Sequence, residues 1–206
     1  MNMQCDSLEY DRFAEEVFGP IYPDIAKVIL ERSGVTCGRL LDLGCGGGHL
    51  GFALMELGDF DASFLDLREG AVALAQKRGE ALGRSGSFVV GDVHHLPFSE
   101  NSFDLIVSRG SMPFWEDQEK AFREIFRVLA PGGWAYIGGG LGGKEHQERI
   151  RAMTHSKTGS PCFDRSKSRS LPDSKDYVKL FQTLGAPCRV IENPDEGRWF
   201  LFGKNA

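Results

Sequence analysis

The chain has 206 residues, of which 41% are hydrophobic and 26% are charged, and its net charge is -5. This length suits one domain with a sizeable core, and the composition is that of an ordinary globular protein. The acidic balance argues against a general nucleic-acid binder, and no run approaches the roughly 18 consecutive apolar residues of a membrane helix.

The five cysteines are odd in number and scattered, without a metal-type Cys-x-x-Cys pair, so we expect reduced thiols and no metal site. The N-terminal residues Met1 to Arg12 are polar and acidic, which is not typical of a secretory signal. We therefore expect a cytoplasmic protein.

The first predicted element is a helical cap over about residues 8–33. Apolar residues recur at helical spacing, and Gly19-Pro20 and Pro23 interrupt the pattern. Two short helices with a bend are predicted.

Strand and helix patterns then alternate as far as residue 137. The predicted strands are Leu40–Leu43, Ala62–Leu67, Ser87–Val90, Phe103–Ser108 and Trp134–Ile137, and the predicted helices are Leu50–Leu57, Glu69–Leu82 and Gln118–Leu129. Pro131-Gly132-Gly133 predicts a turn before the fifth strand. Such alternation implies right-handed crossovers and a three-layer α/β sandwich.

The composition changes after Gly138. The stretch from Lys144 to Arg169 has seven Lys or Arg and three acids, a local charge of +4 in an acidic chain. We predict a lid insertion over about 143–172, inside a single domain that covers 1–206.

The C-terminal part is predicted to complete the sheet. A helix is expected at Ser174–Leu184, and Cys188–Glu192 and Arg198–Gly203 flank a turn-forming stretch typical of a hairpin. The predicted fold is a Rossmann-like α/β sandwich with a seven-stranded, mostly parallel sheet and a C-terminal antiparallel hairpin.

A glycine-rich turn lies between the first predicted strand and its helix. Five glycines fall within the eight positions 44–51. Without Cβ atoms the backbone can approach a ligand closely, and N–H groups at a helix N-terminus favour polar or anionic groups. Because Gly46 to Gly51 also fits G-x-G-x-x-G, this turn by itself leaves NAD, or no ligand at all, as alternatives.

Three carboxylates at successive strand ends decide between these ligands. Asp42 suits an ammonium group and would repel a pyrophosphate. Asp66 can accept both hydroxyls of a ribose, and Asp92 can accept the exocyclic amine of an adenine. Together they suit a ligand with an amino-acid head, a ribose and an adenine, which describes S-adenosylmethionine.

The chain resembles the class I S-adenosylmethionine-dependent methyltransferases, and in particular the methyltransferase type 11 group. The matching stretches are 41–48, 64–67, 90–98, 101–108 and 122–133. The resemblance extends from about Tyr10 to the C-terminal hairpin. It implies S-adenosylmethionine as methyl donor and S-adenosylhomocysteine as product.

The resemblance also implies a donor site. Its expected residues are Tyr10, Asp42, Gly44, Cys45, Gly46, Asp66, Leu67, Asp92, Val93, Arg109 and Gly110. Within this set the backbone of Gly44 to Gly46 would face the methionine and ribose. Leu67 would pack on the adenine, and the Val93 N–H would point to its ring.

The expected contacts near the transferring methyl are less regular. Arg109 and Gly110 would lie beside the methionine portion, and Tyr10 would close over the donor. The stretch 108–117 departs from the small-residue and aromatic-His-Trp pattern of many relatives, and a large Arg109 beside a sulfonium is unusual.

The acceptor side is predicted from the loop after the fourth strand. Met112, Phe114 and Trp115 are candidates to meet the acceptor, because such loops carry the binding residues of α/β folds. Tyr10, His49 and Glu116 are candidate general bases, and none is assigned.

The predicted function is methyl transfer by in-line displacement to an unidentified, small-molecule acceptor. One alternative is an RNA or protein methyltransferase that uses the basic 144–169 segment. Another is a non-catalytic protein that binds S-adenosylmethionine or S-adenosylhomocysteine. No nucleic-acid or membrane partner is expected.

Overall fold

A computed structural model describes residues 7–140, 145–150 and 172–206 of the chain. The labelled helices are α1 (Ser7–Phe18), α2 (Tyr22–Ser33), α3 (His49–Leu57), α4 (Glu69–Leu82), α5 (Gln118–Val128) and α6 (Ser174–Thr183). The strands are β1 (Cys37–Leu43), β2 (Asp59–Asp66), β3 (Ser87–Val90), β4 (Phe103–Arg109), β5 (Leu129–Gly139), β6 (Cys188–Asn193) and β7 (Gly197–Gly203).

The seven strands form one sheet in the order β3-β2-β1-β4-β5-β7-β6. Strands β1 to β5 pair in parallel, whereas β7 is antiparallel to both β5 and β6. The predicted Rossmann-like sheet with its C-terminal antiparallel hairpin is therefore confirmed.

Both faces of the central strands are buried. In β1 and β4, Leu40 and Leu105 belong to the hydrophobic cluster that contains the side chains of α1 to α3, while Leu41 and Ile106 belong to the cluster beneath α5 and α6. Because successive side chains of a strand point to opposite faces, a strand covered on both sides becomes a continuous apolar run. This is why the centre of β4, Leu105–Val107, is a continuous apolar run.

Helices α1 and α2 lie where the sequence predicts them, joined by a 3-10 turn at Gly19–Ile21. Pro20 and Pro23 each fall in the first turn of a helical segment, where a missing N–H costs nothing. α2 ends at Gly34, whose φ of 70° is left-handed. α1 packs against α4 and α2 against α3, which brings both helices next to the glycine-rich turn.

The predicted turn at Pro131-Gly132-Gly133 is a bulge inside β5. Phe103 pairs with Leu129, but Leu105 already pairs with Trp134, so the intervening residues of β5 project from the ladder. Gly132, with φ of 80°, donates its N–H to the Lys204 carbonyl at 2.7 Å. The projecting residues therefore satisfy their backbone groups on the C-terminal segment, and the strand continues on both sides.

Most of the predicted lid over about 143–172 falls on residues 143–144 and 151–171, which lie outside the described residues, so it stays a prediction. Residues 145–150 are helical, and Gln147 donates its side-chain N–H to the carbonyls of Pro194 and Asp195. None of the described helices is both long and apolar enough to cross a membrane.

Candidate donor-binding site

The three predicted carboxylates lie in a row along one edge of the sheet. Asp42 is near the end of β1, Asp66 ends β2, and Asp92 follows β3 by two residues. These strands are neighbours in the order β3-β2-β1, and their parallel direction brings the carboxyl ends together. Open α/β sheets bind ligands at this edge.

Asp42 is a buried carboxylate with no cationic partner among the described residues. Its side chain is 2% exposed, and its Oδ2 accepts a hydrogen bond from the Gly51 N–H at 2.9 Å. Burial, more than the nearby charge of Asp66, raises the pKa of Asp42 to about 7. A cation bound beside Asp42 would stabilise its ionised carboxylate. The position therefore suits an ammonium group.

Asp66 connects the second strand to the glycine-rich turn. Its Oδ2 accepts from the Gly46 N–H at 3.0 Å, and its Oδ1 accepts from the Arg68 N–H at 2.9 Å. The two bonds hold the carboxylate against the loop, so both oxygens have a defined orientation for a diol.

Asp92 is oriented by a neighbouring histidine. Its Oδ1 accepts from both the backbone N–H and Nδ1 of His94, at 2.9 and 2.6 Å, and His94 Nε2 accepts from the Asp117 N–H at 3.1 Å. Because Nε2 is an acceptor, the ring proton is on Nδ1 and points to Asp92. His94 therefore positions Asp92 and leaves its second oxygen for a ligand, a role that its sequence position did not indicate.

The glycine-rich turn requires its glycines for two different reasons. Gly44, Gly46 and Gly48 have φ of 64°, 54° and 79°, a region that L-residues with a side chain rarely adopt. A Cβ on Gly44 would also lie 2.5 Å from Cβ of Ser111, whereas nothing lies within 4 Å of a Cβ on Gly46. The backbone at Gly46 is thus open toward a ligand.

This difference predicts unequal costs for two alanine substitutions. Gly44→Ala combines a strained φ with a steric overlap and should lower the free energy of unfolding by about 3 kcal/mol. Gly46→Ala adds only the backbone strain, which costs about 1–2 kcal/mol. Urea unfolding of both variants checks the order, and equal costs would contradict the structure.

A cleft at this edge collects six of the eleven predicted donor-site residues. It is lined by Tyr10, Ala14, Tyr22, Asp42, Gly44, Cys45, Gly46, Gly47, His49, Leu50 and Arg109. The other five predicted residues, Asp66, Leu67, Asp92, Val93 and Gly110, lie outside its lining. Leu67 is 62% exposed and available for packing, while Val93 is buried.

Around one wall of the cleft lie Tyr22, Asp11 and Arg78, which sequence reasoning did not assign to a site, together with the candidate base His49. Of these four residues, Tyr22 and His49 line the cleft itself. Tyr22 stacks on the His49 ring at 5.2 Å between centroids, and His49 Nε2 donates to Asp11 Oδ1 at 2.9 Å. Arg78 donates to Asp11 Oδ2 at 3.0 Å and to the Gly47 carbonyl. These contacts join α1, α2 and α4 to the glycine-rich turn.

A sequence pattern could have found Asp11. It lies three residues before Ala14 and seven before Phe18, on the face of α1 that carries its buried apolar side chains. A carboxylate on an apolar helical face requires polar partners. Burial alone would raise the pKa of Asp11, but its hydrogen bonds to His49 and Arg78 outweigh this effect and lower the pKa to about 2.

A second, larger cavity of about 540 Å³ lies on the other side of Tyr22 and His49. Helical side chains from α1, α3 and α4 form most of its walls, and it contains neither Asp42 nor the open backbone of Gly46. We therefore assign the donor site to the smaller cleft, because that cleft lies at the strand ends.

The predicted acceptor residues are only partly in place. Met112 and Trp115 are 2% and 6% exposed and belong to the cluster beneath α5, so their prediction as acceptor contacts is wrong. The 3-10 turn at Met112–Phe114 aims both side chains inward, where Trp115 packs edge-on against Phe122. Phe114 is 57% exposed, and the exposed Glu116 lines neither cavity.

Comparison with known proteins adds to this geometry. Residues 41–137 match the family described as a methyltransferase domain. A solved structure from Methanococcus maripaludis, described as that of a candidate S-adenosyl-L-methionine-dependent methyltransferase, is 36% identical with a TM-score of 0.85. The alignment covers 98% of this chain and 94% of that chain.

The chain belongs to the S-adenosylmethionine-dependent methyltransferases. Among curated relatives of this methyltransferase, phosphoethanolamine N-methyltransferase 1 of Triticum aestivum is 29% identical over 93% of this chain and 38% of its own length. The malonyl-[acyl-carrier protein] O-methyltransferase of Geobacter sulfurreducens is 33% identical over 66% of this chain and 54% of its own. The methyltransferase thus spans much less than the full length of these curated relatives.

The residues present fit the donor of this family. The cleft has an open glycine backbone and a buried carboxylate, Asp42, which has no cationic partner in the described part of the chain. A second carboxylate, Asp66, binds the same loop from beside the cleft. Within the described residues, no group of three or more His, Cys, Asp or Glu is placed to hold a metal.

Proposed function

We propose that this methyltransferase transfers a methyl group from S-adenosylmethionine to a small-molecule acceptor. The observation that carries the proposal is the row of Asp42, Asp66 and Asp92 at three adjacent parallel strand ends, with the glycine-rich turn beside it. When bound, S-adenosylmethionine supplies an electrophilic methyl group on a sulfonium.

In this proposal each carboxylate recognises one part of the donor. Asp42 binds the ammonium, Asp66 the ribose hydroxyls and Asp92 the adenine amine, with Leu67 against the ring and the Val93 N–H directed to it. Tyr10 and the backbone of Gly44, Cys45 and Gly46 enclose the methionine half. The chain then acts mainly by holding the reacting groups in line and excluding water.

No general base is assigned. His49 already donates its Nε2 proton to Asp11, and Glu116 lies on the surface away from the cleft. Tyr22 has its pKa raised by burial, so it is a proton donor at neutral pH. Tyr10, the third predicted candidate, lines the cleft and stays a prediction.

The activities for which several relatives are named support a small-molecule acceptor. These relatives include a phosphoethanolamine N-methyltransferase, a demethylmenaquinone methyltransferase and a sterol 24-C-methyltransferase. The basic 144–169 segment of the RNA or protein alternative lies almost entirely outside the described residues.

Calorimetry and turnover test the proposal. We expect micromolar binding of S-adenosylhomocysteine, and conversion of S-adenosylmethionine to it with at least one member of a panel of small acceptors. Binding of NAD in its place would contradict the proposal. Donor binding without turnover on the panel would favour the non-catalytic alternative, and salt-sensitive binding of an RNA pool would favour the RNA alternative.

A substitution at Asp92 tests the adenine assignment. Asp92→Ala should weaken S-adenosylhomocysteine binding about tenfold, because it removes a hydrogen bond between a carboxylate and the amine. The analogue in which hypoxanthine replaces adenine lacks that amine, so wild type should discriminate against it and Asp92→Ala should not. Asp61→Ala removes an exposed carboxylate of β2 away from the site and should preserve the discrimination.

A further inference from the structure

The side chain of Arg109 carries a positive charge, and the described residues provide no anionic partner for it. Arg109 ends β4 and lines the cleft, yet it forms no ion pair within 4 Å among the described residues. Its Nη1 donates to the Tyr22 hydroxyl at 3.3 Å and its Nη2 to the Gly140 carbonyl at 3.1 Å. Its Nε is buried, and none of the residues that the structure describes is its hydrogen-bond partner.

Two aromatic rings pack against the guanidinium of Arg109. The guanidinium carbon lies 4.4 Å from the centroid of the Phe18 ring and 5.2 Å from that of Tyr22. The aromatic faces restrict water on one side, and a buried N–H without a partner destabilises the protein. An anion bound at this position would satisfy both the charge and the free Nε–H.

The position of β4 in the sheet indicates which ligand brings that anion. The strand ends run in the order Asp92, Asp66, Asp42, Arg109, Gly140, because β4 lies on the side of β1 opposite to β2 and β3. Adenine, ribose and methionine are assigned to the first three. The next strand end, one strand spacing of about 4.8 Å further on, is where the methyl group and its acceptor meet.

The charges of the donor are already matched elsewhere. In the proposed assignment its ammonium pairs with Asp42, and its carboxylate binds the N-terminal turn of α3, which begins at His49 beside the glycine-rich turn. The donor's sulfonium is a cation, so an unneutralised arginine next to it would oppose binding. An anionic acceptor resolves this repulsion by lying between the two positive groups.

We propose that Arg109 and Tyr22 form an anion subsite, and that the methyl acceptor carries a carboxylate or phosphate that binds there. The inference rests on the proposed function and specifies its substrate class. Arg109 supplies the free Nε–H, and Tyr22, which accepts from Arg109, has its own hydroxyl proton to donate. The anion thus fixes the acceptor relative to the methyl group.

Titration of the protein saturated with S-adenosylhomocysteine tests the subsite, with inorganic phosphate, malonate and the neutral malonamide as probes at low ionic strength. We expect phosphate or malonate to bind wild type and malonamide not to bind. Arg109→Gln should weaken anion binding at least about tenfold and Tyr22→Phe about threefold, since each removes donors to an anion. Arg109→Lys should restore part of the loss.

Arg84→Gln is the matched control, because Arg84 is exposed and has no side-chain partner among the described residues. Its anion binding should equal that of wild type. Thermal melts establish that each variant is folded, and Tyr22→Phe keeps the ring stack on His49, so it remains informative if Arg109→Gln unfolds.

Three outcomes would overturn the subsite: no anion binding by wild type, unchanged binding by Arg109→Gln, or a tenfold loss of S-adenosylhomocysteine affinity in Arg109→Gln. In the last case Arg109→Gln would also bind S-adenosylhomocysteine and its decarboxylated analogue equally well. The anion that Arg109 binds would then be the carboxylate of the donor. Failure of wild type to bind S-adenosylhomocysteine would instead contradict the proposed function.

Discussion

Asp42→Asn is expected to weaken donor binding roughly 10- to 100-fold at pH 8 while raising the stability of the ligand-free protein. The affinity falls because asparagine keeps the acceptor oxygen for the Gly51 N–H but removes the charge that faces the donor's ammonium. The stability rises because the wild-type protein must bury an ionised carboxylate without a cation.

The pH dependence of this gain has a defined sign. The pKa of Asp42 is about 7 in the folded state, above the usual value of 3.8, so the folded protein binds more protons between these values. The contribution of Asp42 to the free energy of unfolding therefore falls as pH rises through that window. The difference in melting temperature between Asp42→Asn and wild type should be small at pH 5 and grow to several degrees at pH 8.

Asp104→Asn provides the opposite case. Asp104 forms a surface pair with Arg39 at 2.9 Å, and that guanidinium lowers its pKa. Its contribution is present above the usual pKa and is lost as the pH falls below it, so this variant should be slightly less stable at pH 8. A melting-temperature gain for Asp42→Asn that did not increase with pH would contradict the burial of an ionised Asp42.

Asp11→Ala is expected to lower the free energy of unfolding by about 2–4 kcal/mol, because it leaves two partly buried partners without their carboxylate. Asp11 accepts from both His49 and Arg78, and Arg78 also donates to the Gly47 carbonyl. Donor affinity should fall as well, since these contacts hold α1 against the glycine-rich turn. Urea unfolding and amide exchange of α1 measure the two effects.

Glu15→Ala is the matched control for Asp11→Ala. Glu15 lies one helical turn further along α1 and contacts the same Arg78 at 3.3 Å, but its side chain is 68% exposed. Exposed pairs contribute about 0–1 kcal/mol, so its loss should change stability little. Equal effects of the two substitutions would show that burial of Asp11 does not stabilise the contact between α1 and the turn.

The sequence by itself determined the succession of strands and helices along the chain and the positions of Asp42, Asp66 and Asp92 at strand ends. Apolar runs such as Phe103–Ser108 are typical of strands buried on both faces, and the spacing of Asp42 from Gly44 is a local feature that folding does not rearrange. Local periodicity and turn chemistry are sufficient for these features, because each depends on residues close together in the chain. The bulge in β5 was not predictable, since it depends on Lys204, some seventy residues away.

Only the tertiary structure decided the contacts between distant segments. Met112 and Trp115 follow a strand end, as binding residues often do, yet the core beneath α5 takes both side chains. Asp11, Tyr22, His49 and Arg78 meet although 67 positions separate the first from the last. A pattern in one segment specifies which side chains need partners, whereas the partners themselves are set by how the helices pack on the sheet. The free Nε of Arg109 is visible only after that packing has paired its other nitrogens.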